Sequence, residues 1–125
     1  MDKVKVIEKS WGYEKIIENN DLYCGKILFI KKNHCISLQF HKLKDETFFI
    51  FKGELLAKFS TQDSFVNPEE IPAVKMVEGD VRRVRIGEIH QLFALEDSLV
   101  FEVSSTHHDD DTYRISKEFV LSKIF

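Results

Sequence analysis

Residues 35–53 read CISLQFHKLKDETFFIFKG and give the clearest indication of the fold. Along residues 35–41 polar and apolar side chains alternate, which is the period of a β-strand with one polar and one apolar face. A polar bend follows at residues 42–45, and residues 46–51 are rich in aromatic side chains that favour strands. We therefore expect two adjoining antiparallel strands that form a hairpin.

The polar face of this hairpin carries side chains that can bind a metal. Gln39 and His41 share that face, and Glu46 begins the return strand close to His41. An amide oxygen, an imidazole nitrogen and a carboxylate form a mixed nitrogen and oxygen shell that lacks one ligand. His90 opens a later strand after a turn at residues 86–88, and it is the candidate for the fourth ligand.

The rest of the chain is predicted to form short strands separated by turns. Alternating patterns fall at residues 4–8, 13–18, 22–30, 55–59, 74–77, 81–86 and 98–105. In the last of these, Leu99, Phe101 and Val103 are predicted to face the core. Many short strands with frequent turns indicate a single all-β domain over residues 1–125, built as a barrel or a sandwich.

Two segments do not follow the strand pattern. Residues 60–73 have no periodicity and contain both prolines, so we expect one long loop there. Residues 116–124 are the one candidate for a short C-terminal helix, with Ser116 as its N-cap.

The composition limits the functions that this chain can have. With 125 residues, 43% of them hydrophobic, the chain can bury one complete core but not two. A net charge of −3, with scattered lysines and arginines, gives no electrostatic case for nucleic acid or an acidic membrane as a partner. The N-terminus alternates charges instead of forming a signal-peptide core, so we expect a cytoplasmic protein. Cys24 and Cys35 lack the CxxC spacing of redox or zinc sites, and both are predicted to be packing residues.

The spacing of the candidate ligands resembles the first motif of the cupin superfamily. That motif is Gly-x5-His-x-His-x(3,4)-Glu-x6-Gly, and this chain reads Gln39-x-His41-x4-Glu46-x6-Gly53. Gln39 stands where the family has its first histidine, and an Asn-His pair replaces the opening glycine. The resemblance implies the double-stranded β-helix of cupins, which is a jelly-roll barrel.

A second stretch resembles the other cupin motif, Gly-x5-Pro-x-Gly-x2-His-x3-Asn. This chain has Gly79, Gly87 and His90 at the matching positions, with Arg85 and Ala94 in place of the proline and the asparagine. The resemblance implies that His90 is a metal ligand.

Several departures from the general motifs point to one subfamily. The Ser-Leu-Gln-x-His context at residues 37–41 is similar to the cupin domain of the type II mannose-6-phosphate isomerases. Further likenesses are the Trp-Gly pair at residues 11–12, the Glu-Val pair at residues 102–103 and the Asp-rich run that ends in Arg114. Together the resemblance spans residues 11–114, nearly the whole chain.

This resemblance implies a metal-dependent isomerase that interconverts the aldose and ketose forms of a sugar phosphate. The cofactor would be a divalent ion held by Gln39, His41, Glu46 and His90, with zinc first and manganese, iron or nickel also compatible. Two other functions stay open: the isomerisation or epimerisation of a nucleotide-linked sugar, and non-catalytic binding of a sugar or metabolite.

The same resemblance suggests which residues would contact the substrate. The phosphate needs a cation, for which Arg114 or Arg85 is suited. Proton transfer needs an acid or base, for which Asp110, His107 and Tyr113 are candidates. A structural alternative for Arg114 is an ion pair with the acidic run at residues 109–111, and His107 could be an exposed loop residue.

The apolar face of the central strands is too hydrophobic to be left in water. Its members are Ile36, Leu38, Phe40, Phe49 and Phe51. Either the second sheet or another subunit must cover it. Because one small barrel contains eleven phenylalanines, we expect a homodimer.

Overall fold

The computed structural model describes residues 1–121, and their regular secondary structure is almost entirely β-strand. The strands are β1 (Lys5–Lys9), β2 (Gly12–Asn19), β3 (Cys24–Ile30), β4 (Leu38–Phe40), β5 (Glu46–Lys52), β6 (Glu54–Ser60), β7 (Val74–Val77), β8 (Val81–Val84), β9 (Ile89–Ala94), β10 (Ser98–Ser104) and β11 (Tyr113–Ser116). One turn of 3-10 helix, Pro68–Glu70, lies in the long loop and is far too short to cross a bilayer. The predicted all-β class is confirmed.

The strands form two antiparallel sheets that face each other. The six-stranded sheet has the order β1-β2-β3-β10-β5-β8, and the five-stranded sheet has the order β11-β4-β9-β6-β7. Every second side chain is buried along β3 and along residues 46–50 of β5, as expected for strands with one face against a core. The main core lies between the sheets and includes Leu28, Ile50, Leu55, Leu92 and Val100. This is the single-domain jelly roll.

The predicted hairpin between residues 35–41 and 46–51 is wrong. β4 pairs with β9 and β11, whereas β5 pairs with β10 and β8, so the two strands belong to opposite sheets. The bend at residues 42–45 carries the chain from one sheet to the other. β4 is also shorter than expected, because Cys35 makes only an isolated bridge to Phe93. Alternation fixes which way side chains point but not which strand is the partner.

The apolar face predicted for the central strands separates into three parts. Ile36 belongs to the main core. Leu38 forms a second cluster, against which Phe40 packs, together with side chains from the long loop and β9: Phe65, Ile71 and Ile89. Of the predicted set, Phe49 and Phe51 remain on the outer side of the six-stranded sheet, where both pack on Phe101. The set is split because its two strands lie in different sheets.

The outer side of the six-stranded sheet carries an apolar patch, which we call the aromatic surface. Its members are Tyr13, Ile27, Phe29, Phe49, Phe51, Val81, Phe101 and Val103. Ile27, Phe101, Phe49 and Val81 are register partners across four neighbouring strands. The ring centroids of Phe51 and Phe101 are 5.1 Å apart, yet Phe51 remains 53% exposed. The prediction that Leu99, Phe101 and Val103 face the core is therefore wrong, since Ser98, Val100 and Glu102 are the buried residues of β10.

The chain covers the outer side of the five-stranded sheet with its own C-terminal segment. Phe119 stacks on Phe93 of β9, with ring centroids 4.9 Å apart. The Gln91 side-chain amide donates a hydrogen bond to the Glu118 carbonyl, and the Lys58 ammonium donates to the Val120 carbonyl. The candidate helix is therefore absent from residues 116–121, and the remainder of that prediction, residues 122–124, lies outside the described residues.

Gly12 explains the Trp-Gly pair near the N-terminus. Its φ of +150° is a conformation that favours glycine, and a Cβ there would overlap the carbonyl oxygen of Phe29 on the neighbouring strand. The close approach of β2 and β3 at this point places Trp11 at the edge of the space between the sheets.

Candidate metal centre and adjoining cavity

Three buried side chains from different elements meet between the sheets. His41 follows β4, Glu46 begins β5 and His90 lies on β9. Glu46 Oε2 is 3.2 Å from His41 Nε2, and Glu46 Oε1 is 3.4 Å from His90 Nε2. The exposed fractions are 3% for His41, 2% for Glu46 and 0% for His90. Three of the four predicted metal ligands therefore form one cluster.

Backbone carbonyls orient both imidazoles. His41 Nδ1 lies 2.9 Å from the Asp111 carbonyl oxygen, and His90 Nδ1 lies 3.0 Å from that of Glu88. Because a carbonyl oxygen can only accept, each Nδ1 carries a proton, and each Nε2 is the ring atom that faces Glu46. A hydrogen bond from the second ring nitrogen is the usual support of a metal-binding histidine.

The chemistry and spacing of this cluster fit a divalent metal ion. His41 Nε2, His90 Nε2 and Glu46 Oε2 are buried without a well-aligned hydrogen bond. The ligand atoms of the three residues all lie within 4.8 Å of one another. Two ligands bound at about 2.1 Å with tetrahedral geometry would be about 3.4 Å apart, close to the two measured contacts. A metal ion would satisfy all three atoms at once.

Lys44 is a buried cation beside this centre. Its Nζ lies 3.2 Å from Glu46 Oε2 and 3.0 Å from Glu102 Oε2. Burial alone would lower the pKa of Lys44, but Glu102 and Glu46 raise it above its usual value. Burial alone would likewise raise the pKa of Glu46, but the two histidines and Lys44 hold it well below its usual range. Both groups are therefore charged at neutral pH.

Asp111 fixes the bend that connects β4 to β5. Its side chain is buried, and its carboxylate accepts hydrogen bonds from the backbone N–H groups of Lys42, Leu43 and Lys44 at 2.8 to 3.1 Å. Its carbonyl oxygen also contacts His41. The sequence analysis missed this residue and selected the neighbouring Asp110, which is exposed. The sequence feature that could have identified Asp111 is the Asp-rich run at residues 109–111.

A cavity of about 310 Å³ opens between the sheets next to the metal centre. Glu46 and Glu102 are the carboxylates that line it. Three cationic side chains line its other parts: Lys9, Arg114 and Lys117. The cavity is thus lined by two negative side chains near the candidate metal centre, which we call its floor, and by positive side chains from β1, β11 and the C-terminal segment.

Gln39, the fourth predicted ligand, also lines this cavity. It is the register partner of His90, so the two side chains share one face of the five-stranded sheet. Its amide oxygen accepts a hydrogen bond of 2.7 Å from the Ser37 hydroxyl. Coordination of a metal by Gln39 stays a prediction.

The structure separates the residues predicted to bind the substrate, Arg114 and Arg85, and one of those predicted to transfer its protons, Tyr113. Arg114 is the register partner of Gln39 and lines the cavity. Tyr113 points to the opposite face of the sheet, where it stacks on Phe40 with ring centroids 5.2 Å apart. Arg85 lines a different surface depression, together with residues 61–63. Of this group, Arg114 is the residue that the fold brings to the cavity.

The two remaining predicted residues also lie outside the cavity lining. Asp110 is exposed in the loop before β11. His107 is half-buried, with Nδ1 3.3 Å from Lys44 Nζ and Nε2 3.2 Å from a carboxylate oxygen of Asp109. Burial, reinforced by the nearby Lys26 and Lys44, lowers the pKa of His107 to about 4. This histidine is therefore neutral at physiological pH.

Comparison with known proteins gives structural matches but no sequence family. No protein-family model matches the chain, and no curated protein does. KdgF from Halomonas sp. is 17% identical, with a TM-score of 0.68, and the match covers 87% of this chain and 90% of that one. The capsular polysaccharide assembling protein CapF from Staphylococcus aureus is 16% identical, with a TM-score of 0.73, and the match covers 91% of this chain. Oxalate decarboxylase from Bacillus subtilis is 15% identical, with a TM-score of 0.73 and 90% of this chain covered.

The chain spans 34% of the length of CapF and 30% of that of oxalate decarboxylase. None of these three names is that of a mannose-6-phosphate isomerase, so the resemblance to that subfamily stays a prediction. Identities this low establish the fold and leave the activity open. All three structures have the same jelly-roll architecture, and the fold of this chain is the cupin fold.

Proposed function

We propose that this chain is a metal-dependent isomerase that interconverts aldose and ketose sugar phosphates, of the mannose-6-phosphate type. One observation carries the proposal: a single cavity is lined both by Glu46, which contacts His41 and His90, and by cationic side chains that suit a phosphate. An isomerase of this class needs charge stabilisation beside the reacting carbons and an anchor for the phosphate some distance away. The cavity offers both.

The residues would divide the work according to their chemistry. His41, Glu46 and His90 would hold the divalent ion, with Gln39 as the fourth predicted ligand. Such an ion, when bound, stabilises negative charge on a substrate oxygen. Arg114 would hold the phosphate, because a planar guanidinium can donate two parallel hydrogen bonds to phosphate oxygens.

Non-catalytic binding of a sugar or metabolite is the second candidate function. It is favoured by the positions of Asp110, His107 and Tyr113, since none of these predicted acid–base residues lines the cavity. If no other residue of the cavity carries the proton, the site would bind an anionic sugar without converting it.

Proton exchange in D2O separates the two candidates. We expect metal-loaded protein to exchange the proton on the carbon next to the carbonyl of mannose 6-phosphate and fructose 6-phosphate, as seen by NMR. Free sugars and nucleotide sugars complete the panel. Exchange requires that a C–H bond be broken even when net turnover is slow. A sugar that raises the melting temperature while no compound exchanges would establish the binding function instead.

Arg114→Gln tests the phosphate anchor in the same assay. We expect KM to rise at least about tenfold, because a charge-assisted hydrogen bond contributes about 1.5–3 kcal/mol. Arg85→Gln removes the same group from a separate depression, and we expect its KM to match the wild type. The reverse result would move the phosphate site to Arg85.

We also propose that the chain forms a homodimer through the aromatic surface. Phe51→Asp and Val103→Asp should each weaken the dimer at least tenfold in light scattering at micromolar concentration, because each buries a charge in an apolar interface. Both side chains are more than half exposed, at 53% and 60%, so the fold should tolerate the changes. Val66→Asp, at a 70% exposed site on the long loop, is the matched control. A monomeric wild type would refute the proposal.

A further inference from the structure

The cavity contains one carboxylate that the candidate metal centre does not use. Glu46 faces both histidines, at 3.2 and 3.4 Å. Glu102 lines the same cavity from β10 and has no contact with either histidine among the ion pairs of residues 1–121. It is 5% exposed, so only a molecule inside the cavity could reach it.

Lys44 holds one oxygen of Glu102 and leaves the other available. The Lys44 ammonium donates to Glu102 Oε2 at 3.0 Å. The second oxygen, Oε1, makes no hydrogen bond within residues 1–121. It is not one of the fully buried polar atoms without a partner, so it is open to the cavity. A carboxylate anchored through one oxygen in this way has a fixed orientation and a free lone pair.

The same lysine sets the distance between Glu102 and the metal centre. Lys44 Nζ contacts Glu46 Oε2 at 3.2 Å and Glu102 Oε2 at 3.0 Å, so the two oxygens are no more than 6.2 Å apart. Glu46 and Glu102 also line one cavity, so a substrate bound there beside the metal centre would lie next to Glu102. A general base must come within hydrogen-bond reach of the proton that it takes.

We infer that Glu102 is the catalytic base that carries the proton between the two reacting carbons, with Lys44 as its positioning residue. The inference rests on the proposed isomerase function. From an aldose, Glu102 takes the proton from C2, and the C–H electron pair forms the C1–C2 double bond as the carbonyl oxygen gains the charge. Glu102 then returns that proton to C1, while the hydroxyl proton of C2 moves to the oxygen of C1. The substrate is rearranged with no external oxidant or reductant.

Glu102→Gln tests this role because it keeps the shape of the side chain and removes its basicity. We expect its proton exchange rate in D2O to fall at least about 100-fold, since general bases contribute about 10²–10⁴-fold. The metal content should stay within a factor of two, and KM should change little. Glu102→Asp keeps a carboxylate and should recover part of the rate. Glu96→Gln, at an exposed acid in the turn after β9, is the matched control.

Exchange rates are compared per bound metal, so a variant that loses some metal still gives an answer. If the wild type exchanges the substrate proton and Glu102→Gln does so at the same rate, the role of Glu102 is overturned and the isomerase function stays intact. Equal rates for Glu102→Gln and Glu102→Asp would also overturn it, because an aspartate carboxylate can accept a proton and a glutamine amide cannot. A wild type that exchanges no compound of the panel would reject the isomerase function and this inference with it.

Discussion

Replacing His90 or His41 by alanine is expected to remove the bound metal almost completely. Each substitution deletes one of two imidazoles whose Nε2 atoms face Glu46, and it leaves too few ligands to retain a divalent ion. Loss of a mere supporting hydrogen bond already costs about 10–100-fold in metal affinity, so loss of a ligand should exceed about 100-fold. Elemental analysis after purification in excess metal measures the effect directly.

His34→Ala is the matched control for these variants. His34 is exposed in the turn before β4, where its Nδ1 lies 3.0 Å from the Lys32 carbonyl oxygen. We expect this variant to keep the metal content of the wild type. A wild type with less than about a tenth of an equivalent of metal, or ligand variants that retain full occupancy, would reject the metal centre.

The second large effect is expected for Asp111→Ala, on stability. The substitution removes a buried carboxylate that three backbone N–H groups share, and each unpaired buried group costs about 1–3 kcal/mol. Partial hydration of the bend should recover some of this loss. We therefore expect the free energy of unfolding to fall by about 3–5 kcal/mol, measured by urea denaturation.

Asp110→Ala provides the comparison, because Asp110 is the same residue type one position earlier and is exposed. Its free energy of unfolding should stay within about 0.5 kcal/mol of the wild type. If both variants unfold at the same urea concentration, the hydrogen bonds of Asp111 do not stabilise the bend.

The candidate ligands could be predicted because they depend on local features of the chain. Alternation along residues 35–41 and motif spacing around His90 both place side chains on a chosen face, and His41, Glu46 and His90 do meet. The partner of each strand could not be predicted in this way. β4 and β5 are consecutive but lie in opposite sheets, because the bend that joins them crosses the barrel instead of reversing within one sheet.

β10 shows a second limit, set by an apolar outer surface. Hydrophobicity alone assigns Phe101 and Val103 to the core, yet they face outward and Glu102 faces inward. β10 lines a polar cavity on one side and carries apolar residues on the outer side, so both of its faces contradict the usual pattern. The residue that the pattern places outside is the one that we infer to be catalytic.

The run of three aspartates shows a third limit. Asp109, Asp110 and Asp111 are chemically identical, and no periodicity separates them. Only the path of the loop before β11 decides that Asp111 is buried under residues 42–44. The direction of the Tyr113 side chain could not be predicted for a related reason, because a strand of four residues gives too short a pattern to show which face meets the cavity.

The buried ammonium of Lys44 makes the sign of the cavity floor depend on the metal. Lys44, Glu46 and Glu102 together contribute one positive and two negative charges, and the neighbouring pair of Lys26 and Glu14 adds no net charge. Without a divalent ion these side chains therefore carry a net charge of −1, whereas a bound divalent ion would change that sum to +1. Under the proposed function, this part of the cavity would attract an anionic substrate only after the metal had bound, so the metal would bind first.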